Sequence, residues 1–155
     1  MENFTSKMDK KTGLMTTSFV VFAVAVPFVM YKLGAPRVSL FMVSLIMALA
    51  FITSYMMIPQ LFLNDKTIVI KNNFVNIKIP FDVINTIEEN PKIGLNIRTM
   101  GVGGLFGHFG YFNGNDVWYV TNIHNKVKIT MKSGKIYMIS PENPEEFIKK
   151  VKNFS

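Results

Sequence analysis

No cysteine occurs in the 155 residues. That removes disulfides, thiolate nucleophiles, iron–sulfur clusters and every zinc site with sulfur ligands. Histidine is nearly as scarce: only His108 and His124 are present. Neither has carboxylates at a spacing that would complete a metal site, so no metal or cofactor is called for. Charge is thin as well, at 17% of residues, with a net balance of +7. The excess is spread out: +1 over residues 1–13, +2 across Lys32–Arg37 and +4 over residues 64–155. A nucleic-acid binder gathers its basic residues into a dense stripe, so this distribution argues against nucleic acid as a partner.

The most telling absence is that of charge from two long apolar runs. Leu14–Tyr31 has 18 residues without a charge, and Val38–Leu63 has 26. Runs of this length match a bilayer core of ~30 Å. The segments read as two transmembrane helices, 14–33 and 38–58, forming a hairpin over 14–58. Between them KLGAPR makes a tight turn through Gly34 and Pro36. Lys7, Lys10 and Lys11 resemble the basic start of a signal peptide. The apolar run is too long for one, however, and no small-x-small cleavage site follows it. Lys7, Lys10, Lys11, Lys66, Lys71 and Lys78 lie on one side of the hairpin, against Lys32 and Arg37 in the turn. The positive-inside rule then puts both termini in the cytoplasm. No Asp, Glu, His, Lys or Arg falls within Leu14–Tyr31 or Val38–Ile58, which argues against a pump or transporter. Ser44 with Ala48, and Ala50 with Ser54, are small-residue pairs best read as packing against the first span rather than as a dimer face.

Beyond Pro59 the pattern changes to short strands. TIVIKNNFVNIKIP reads as a hairpin around Asn72-Asn73, pairing Lys71 with Phe74, Ile70 with Val75 and Ile68 with Ile77. About eight residues are then left to tether Ile58 to the first strand. FDVINTIEE fits a short strand or one helical turn, and Lys92–Met100 a further strand. GYFN and DVWYVTN pair through Asn113-Gly114-Asn115. KVKITMKSGKIYMIS is a hairpin closed by Ser133-Gly134, with Met131 opposite Ile136 and Lys132 opposite Lys135. The period-two alternation of Val127, Ile129 and Met131 marks a half-buried strand. The chain ends in a helix: Asn143 as N-cap, Pro144 first, Glu145 and Glu146 near the positive end, and a stripe of Phe147, Ile148, Val151 and Phe154.

Six or seven antiparallel strands followed by one amphipathic helix is the arrangement of a pleckstrin-homology (PH) domain. The stretch RTMGVGGLFGHFGYFNGNDVWYVTNIHNKVKITMKSGKIYMISPENPEEFIKKV resembles the bacterial PH domains of small membrane proteins. The matching features are Arg98 followed by spaced glycines, Gly110 with an aromatic after it, Tyr119–Thr121, and the Ile139-Ser140-Pro141 exit into a Pro-Glu-Glu-Phe helix. The resemblance covers about residues 60–153 and extends to a membrane hairpin placed before the domain. It implies an antiparallel β-barrel or sandwich of PH-like type with a C-terminal capping helix. The expected organisation is a cytoplasmic tail over 1–13, the hairpin over 14–58 and a PH-like domain over 59–155.

Motifs for catalysis are missing. GVGGLFGHFG lacks the Gly-Lys-Ser/Thr of a phosphate loop, and Phe106 stands where a dinucleotide fingerprint needs its third glycine. No G-x-S-x-G elbow accompanies the histidines. The expected function is therefore a non-enzymatic binding or scaffolding module on the cytoplasmic face of the bacterial inner membrane, with a protein partner. Anionic lipid headgroups are a second class of ligand. Lys126, Lys128, Lys132 and Lys135, read as one basic sheet face, together with Arg98, are the candidate binding residues. Phe106, Phe109 and Phe112 form a candidate interaction loop, dipping toward lipid or filling the barrel mouth. The alternative is a small membrane-associated enzyme of lipid or peptide processing. Its sign would be a cleft near the membrane holding a perturbed histidine or carboxylate.

Overall fold

A computed structural model describes residues 1–90 and 97–153. The chain opens with a two-residue strand, β1 (Glu2–Asn3), and then enters α1 (Lys10–Lys32) and α2 (Arg37–Met56). At 1.5 Å per residue the two helices are ~35 and ~30 Å long. Leu33–Pro36 turns the chain between them; Gly34 takes a φ of +77°, open to glycine and costly for other residues. Only 6% of each helix's most apolar window is buried. The pair is long and apolar enough to cross a bilayer, and its apolar sides face outward.

Strand β2 (Gln60–Asn64) starts four residues after Met56. The expected tether of about eight residues is therefore absent: QLFLN, which ends in the uncharged run, alternates inward Leu61 and Leu63 and joins the sheet instead. Strands β3 (Thr67–Lys71) and β4 (Asn76–Pro80) complete a four-stranded sheet in the order β1-β2-β3-β4. Because β1 and β2 are antiparallel neighbours, the helical pair is inserted into the connection between two adjacent strands.

A 3₁₀ turn at Phe81–Val83 leads into β5 (Ile84–Glu89), so the FDVINTIEE segment is both a helical turn and a strand. Strands β6 (Arg98–Gly103), β7 (His108–Phe112), β8 (Asp116–Val120), β9 (Val127–Met131) and β10 (Ile136–Ile139) follow, then helix α3 (Pro144–Asn153). The second sheet runs β5-β9-β10-β8-β7-β6. The two sheets form a sandwich rather than a closed barrel. The described residues hold ten strands, not six or seven, and one pair, β8 with β10, is parallel. Strand β10 reads Ile-Tyr-Met-Ile without a polar break, and its last three residues are buried. A strand that must bury both faces takes a central place. The tight β9–β10 hairpin then slots it between β9 and β8.

Two registers differ from expectation. Lys71 pairs with Asn76 and Ile70 with Ile77, so the β3–β4 loop has four residues. Its cause is Asn72, whose side-chain oxygen accepts the N–H groups of Phe74 and Val75 and folds the loop on itself. The two-residue shift keeps Ile68, Ile70 and Ile79 buried, with Val75 and Ile77 packed at their margin. At the β9–β10 turn, Thr130 pairs with Ile136 and Ile129 with Tyr137. Gly134, at φ +83°, adds one residue to the loop. This one-residue slip turns Lys135 away from Lys132 and onto the other face.

The main core collects Leu61, Leu63, Ile68, Ile70 and Ile79 from one sheet and Val127, Ile129 and Ile139 from the other. Phe147 and Val151 of α3 close it, as expected for the helix stripe; Phe154 lies outside the described residues, as do residues 92–96 of the strand expected over Lys92–Met100. Asn143 caps α3 by accepting the Glu146 N–H at 3.2 Å. Phe4, from the tail, is also in this core, edge-on to Phe147 with centroids 5.2 Å apart. A smaller cluster of Phe112, Trp118, Val120, Ile123 and Met138 covers the outer face of the six-stranded sheet.

Phe4 generates a prediction. Truncating a buried phenylalanine costs about 3–5 kcal/mol, against a total stability of about 5–15. Phe4→Ala in the full chain should lower the urea midpoint of the β-sheet signal substantially, and Phe4→Leu by much less. An unchanged midpoint for Phe4→Ala would mean that the tail contributes nothing to the core.

Candidate functional site at the helix–sheet junction

Three segments distant in sequence meet where α1 begins. Asp9 is the N-cap of α1: one carboxylate oxygen accepts the Thr12 N–H at 2.8 Å. The other accepts the Thr12 hydroxyl at 3.1 Å and the Ile123 N–H at 3.0 Å. One buried carboxylate thus binds the helix start to the segment leaving β8. Beside it, the Thr121 hydroxyl donates to the Ser6 carbonyl at 3.2 Å, and the Ser140 hydroxyl accepts the Thr121 N–H at 2.9 Å. The tail, the β8 exit and the β10 exit are joined in one polar network.

The second contact comes from the glycine-rich turn between β6 and β7. Gly107 has no room for a side chain, since a Cβ there would lie 2.4 Å from the Val120 carbonyl oxygen. Next to it Phe106 takes φ +58°, a conformation that costs a bulky residue about 1–3 kcal/mol unless its surroundings impose it. Here they do. Its N–H donates to the Thr16 hydroxyl of α1 at 3.0 Å. Its ring packs edge-on against Phe51 and Tyr55 of α2, with centroids 5.1 and 5.5 Å away. Phe106 is therefore a wedge between the bases of the two helices. A third contact is the β3–β4 turn, where the Asn72 amide donates to the Met57 carbonyl at 2.9 Å.

The other expected interaction-loop residues go elsewhere. Phe109 is fully buried, and Phe112 stacks on Trp118 with centroids 4.5 Å apart. The candidate lysines do not form one face. Lys126 is only 3% exposed and lies over the Trp118 ring at 5.2 Å. Lys128 pairs with Glu88 at 3.6 Å. Lys132 and Lys135 are exposed at the β9–β10 turn, and Lys135 sits over Tyr137 on the opposite side of the sheet from Lys126. Arg98 is exposed on β6, the strand at the sheet edge. Ser54 is buried at the base of α2, whereas Ser44 and Ala48 line a groove of about 250 Å³ with Phe19, Val20 and Ala23 of α1.

Burial pulls the Asp9 carboxyl upward, but the N–H groups of Thr12 and Ile123, the Thr12 hydroxyl and the Lys11 N–H outweigh it and hold it below its ordinary 3.8. Burial pushes His108 below its ordinary value; Asp9 opposes this, while Lys126, Arg98 and Lys11 reinforce it. Burial likewise lowers Lys126. A perturbed carboxylate and a perturbed histidine do therefore lie near the helices. Asp9 is saturated with donors, however, and His108 packs edge-on to Phe112. The arrangement suits a joint better than acid–base chemistry.

Sequence reasoning missed Asp9, Thr12 and Thr16. The signal was an aspartate three residues before a threonine at the mouth of an apolar run, with a second threonine at i+4 on the same helix face. It also missed an exposed apolar group at the end of the six-stranded sheet: Ile97, Met100 and Tyr111, with Met100 and Tyr111 cross-strand partners. Tyr111 borders an open cleft of about 440 Å³ with Asn115, Ser133, Gly134 and Lys135.

The family model described as bacterial PH domain matches residues 59–154. No curated protein and no solved structure matches the chain.

Asp9 gives a pH prediction. Its folded value is depressed, so its contribution is full above about 3.8 and is lost as pH falls through the folded value. Asp9→Ala should cost about 1–3 kcal/mol at neutral pH, from a lost cap and an unsatisfied Ile123 N–H. It should also flatten the fall of stability between about pH 5 and 2. Equal acid sensitivity in wild type and variant, measured by urea unfolding at stepped pH, would contradict this role.

Proposed function

The chain belongs to the bacterial PH-domain family, and on that premise we propose that it is a membrane-anchored, non-enzymatic docking module. In this reading α1 and α2 span the bacterial cytoplasmic membrane, both termini face the cytoplasm, and the sandwich presents a binding surface to a protein partner. One observation carries the reading: two helices with outward apolar surfaces are fastened to the PH-like sandwich at Asp9, Thr16 and Asn72. Such a joint makes sense where the module must keep one orientation to the bilayer.

The partner surface in this proposal is the open end of the six-stranded sheet. Ile97, Met100 of the edge strand β6 and Tyr111 of β7 are exposed there, and Tyr111 shares a cleft with Lys135. An apolar centre with a basic margin suits a protein carrying apolar and acidic groups. Anionic headgroups draw weaker support. Of the candidate cations, Lys126 is buried and Lys128 is paired, leaving Arg98, Lys132 and Lys135 exposed. At ~1 kcal/mol each, three cations supply only a modest attraction.

Three measurements test this. A reporter fused after Ser155 should be active in the cytoplasm. Because the chain has no cysteine, Ala35→Cys offers a single thiol, which should react with an impermeant maleimide added outside intact cells. A C-terminus accessible from outside would overturn the orientation. A photo-crosslinking residue at Tyr111 should yield a discrete protein adduct in membranes, abolished by Met100→Asp, while the same probe at Lys149 on α3 should not. Equal adducts at both positions would remove the assignment of the surface.

A further inference from the structure

Helix α2 has 20 residues and so measures ~30 Å, no longer than the hydrocarbon core it would cross. Yet its last turns are not free. Phe51, five residues before Met56, already touches Phe106 of the sandwich. Those five residues correspond to ~7 Å along the axis. If α2 spans, the loop carrying Phe106 cannot remain in the water; it reaches the edge of the hydrocarbon. The same loop touches α1 from Met15 to Thr16, within the apolar run.

The β3–β4 turn meets the C-terminal end of the same helix. The Asn72 amide bonds the Met57 carbonyl, and the Asn73 N–H reaches the Met56 carbonyl at 3.4 Å. This sets Phe74, 56% exposed, at the end of α2. Every backbone N–H of the turn is satisfied within the chain: Asn72 to Val75, Asn73 to Met56, and Phe74 and Val75 to the Asn72 side chain. In the glycine loop, Gly104 donates to Gly107 and Phe106 to Thr16. The Asn72–Val75 turn is thus closed throughout, which irregular backbone in water does not require. At membrane depth it does, because lipid offers no replacement bonds.

We propose that the sandwich is seated in the membrane rather than held above it. The Gly104–Gly107 loop and the Asn72–Val75 turn form a rim that enters the interfacial layer, where exposed Phe74 and half-buried Leu105 meet the lipids. This rests on the reading that α1 and α2 span. The occupant is bilayer lipid, because the rim is continuous with the outward apolar side of α2, where Ile52 and Tyr55 are exposed.

The test uses the full chain in phosphatidylglycerol/phosphatidylcholine vesicles. Single-cysteine variants Phe74→Cys, Leu105→Cys and Leu45→Cys, each labelled with a polarity-sensitive fluorophore, are read with lipids brominated near the headgroup end or near the middle of the chain. Positions 74 and 105 should show blue-shifted emission, lose most of it to shallow bromines and resist aqueous iodide. Position 45 should be quenched by the deep bromines. If position 45 is quenched while 74 and 105 stay red-shifted and open to iodide, the seated rim is refuted and the spanning helices stand. If position 45 also remains aqueous, the spanning reading falls and the rim with it. Phe74→Trp in a Trp118→Phe background provides a second probe that adds no label.

Discussion

The Asp9 carboxylate is the constraint on which the arrangement depends. A buried charge is tolerable only when hydrogen bonds surround it, and its donors come from two places: the first turn of α1 and the Ile123 N–H beyond β8. Fixing these together sets the direction in which α1 leaves the sandwich. It also pins the tail upstream, where Phe4 enters the core and β1 lies along β2. Since β1 and β2 are neighbours, the chain that departs through α1 has to return through α2 to nearly the same spot. The tight Leu33–Pro36 turn and the short Met57–Pro59 connection achieve that. The helical pair is thereby a long excursion from one sheet, closed at its base.

Much of this was legible in the sequence, and the limits have physical causes. The apolar runs, the C-terminal helix with its Asn143 cap and the β7–β8 hairpin at Asn113-Gly114-Asn115 could be read because each carries a local signal. The PH-like class came from a family resemblance, carried by Arg98 with its spaced glycines and by the Ile139-Ser140-Pro141 exit into the Pro-Glu-Glu-Phe helix. The tail could not be read. Glu2–Asn3 is too short to show periodicity, and Phe4 reveals its role only when Phe147, far along the chain, stands beside it. The β2 strand was hidden because QLFLN continues an uncharged run, so its period-two alternation merged with the helix before it. Hydrophobicity alone does not separate the end of a span from the start of a buried strand.

The candidate site was harder still, because one residue decides it. A two-residue turn at Ser133-Gly134 would gather Lys126, Lys128, Lys132 and Lys135 on one side. The added residue at Gly134 sends Lys135 to the other, over Tyr137, while Lys126 folds down onto Trp118. The same holds for the phenylalanines. Spacing places Phe106, Phe109 and Phe112 together, but the turn at Gly107 and the pleat of β7 send them to three environments: the helix bases, the interior and the outer aromatic stack. Side-chain direction in a glycine-rich strand follows from backbone angles that the residue names do not record.

The joint also changes what the module can do energetically. A domain on a free tether of about eight residues would reach at most ~28 Å in any direction. It would present every face to the membrane plane and lose rotational freedom each time a partner bound. Here three contacts around the two helix bases leave little such freedom to lose. Asp9 and the Phe106 wedge fasten α1 and α2, and Asn72 fastens the end of α2; two helices fixed at non-collinear points define an orientation. The strained φ of Phe106 belongs to the same device. A bulky residue keeps a left-handed conformation only where its surroundings impose it, and in this case both helices supply those surroundings. Separating the helices would remove them, so the wedge and the hairpin hold each other in place. On the docking reading proposed above, a partner moving in the same membrane plane would meet the exposed end of the six-stranded sheet at a constant height and angle. On that reading a modest apolar patch suffices, because orientation is settled by the fold rather than by the encounter.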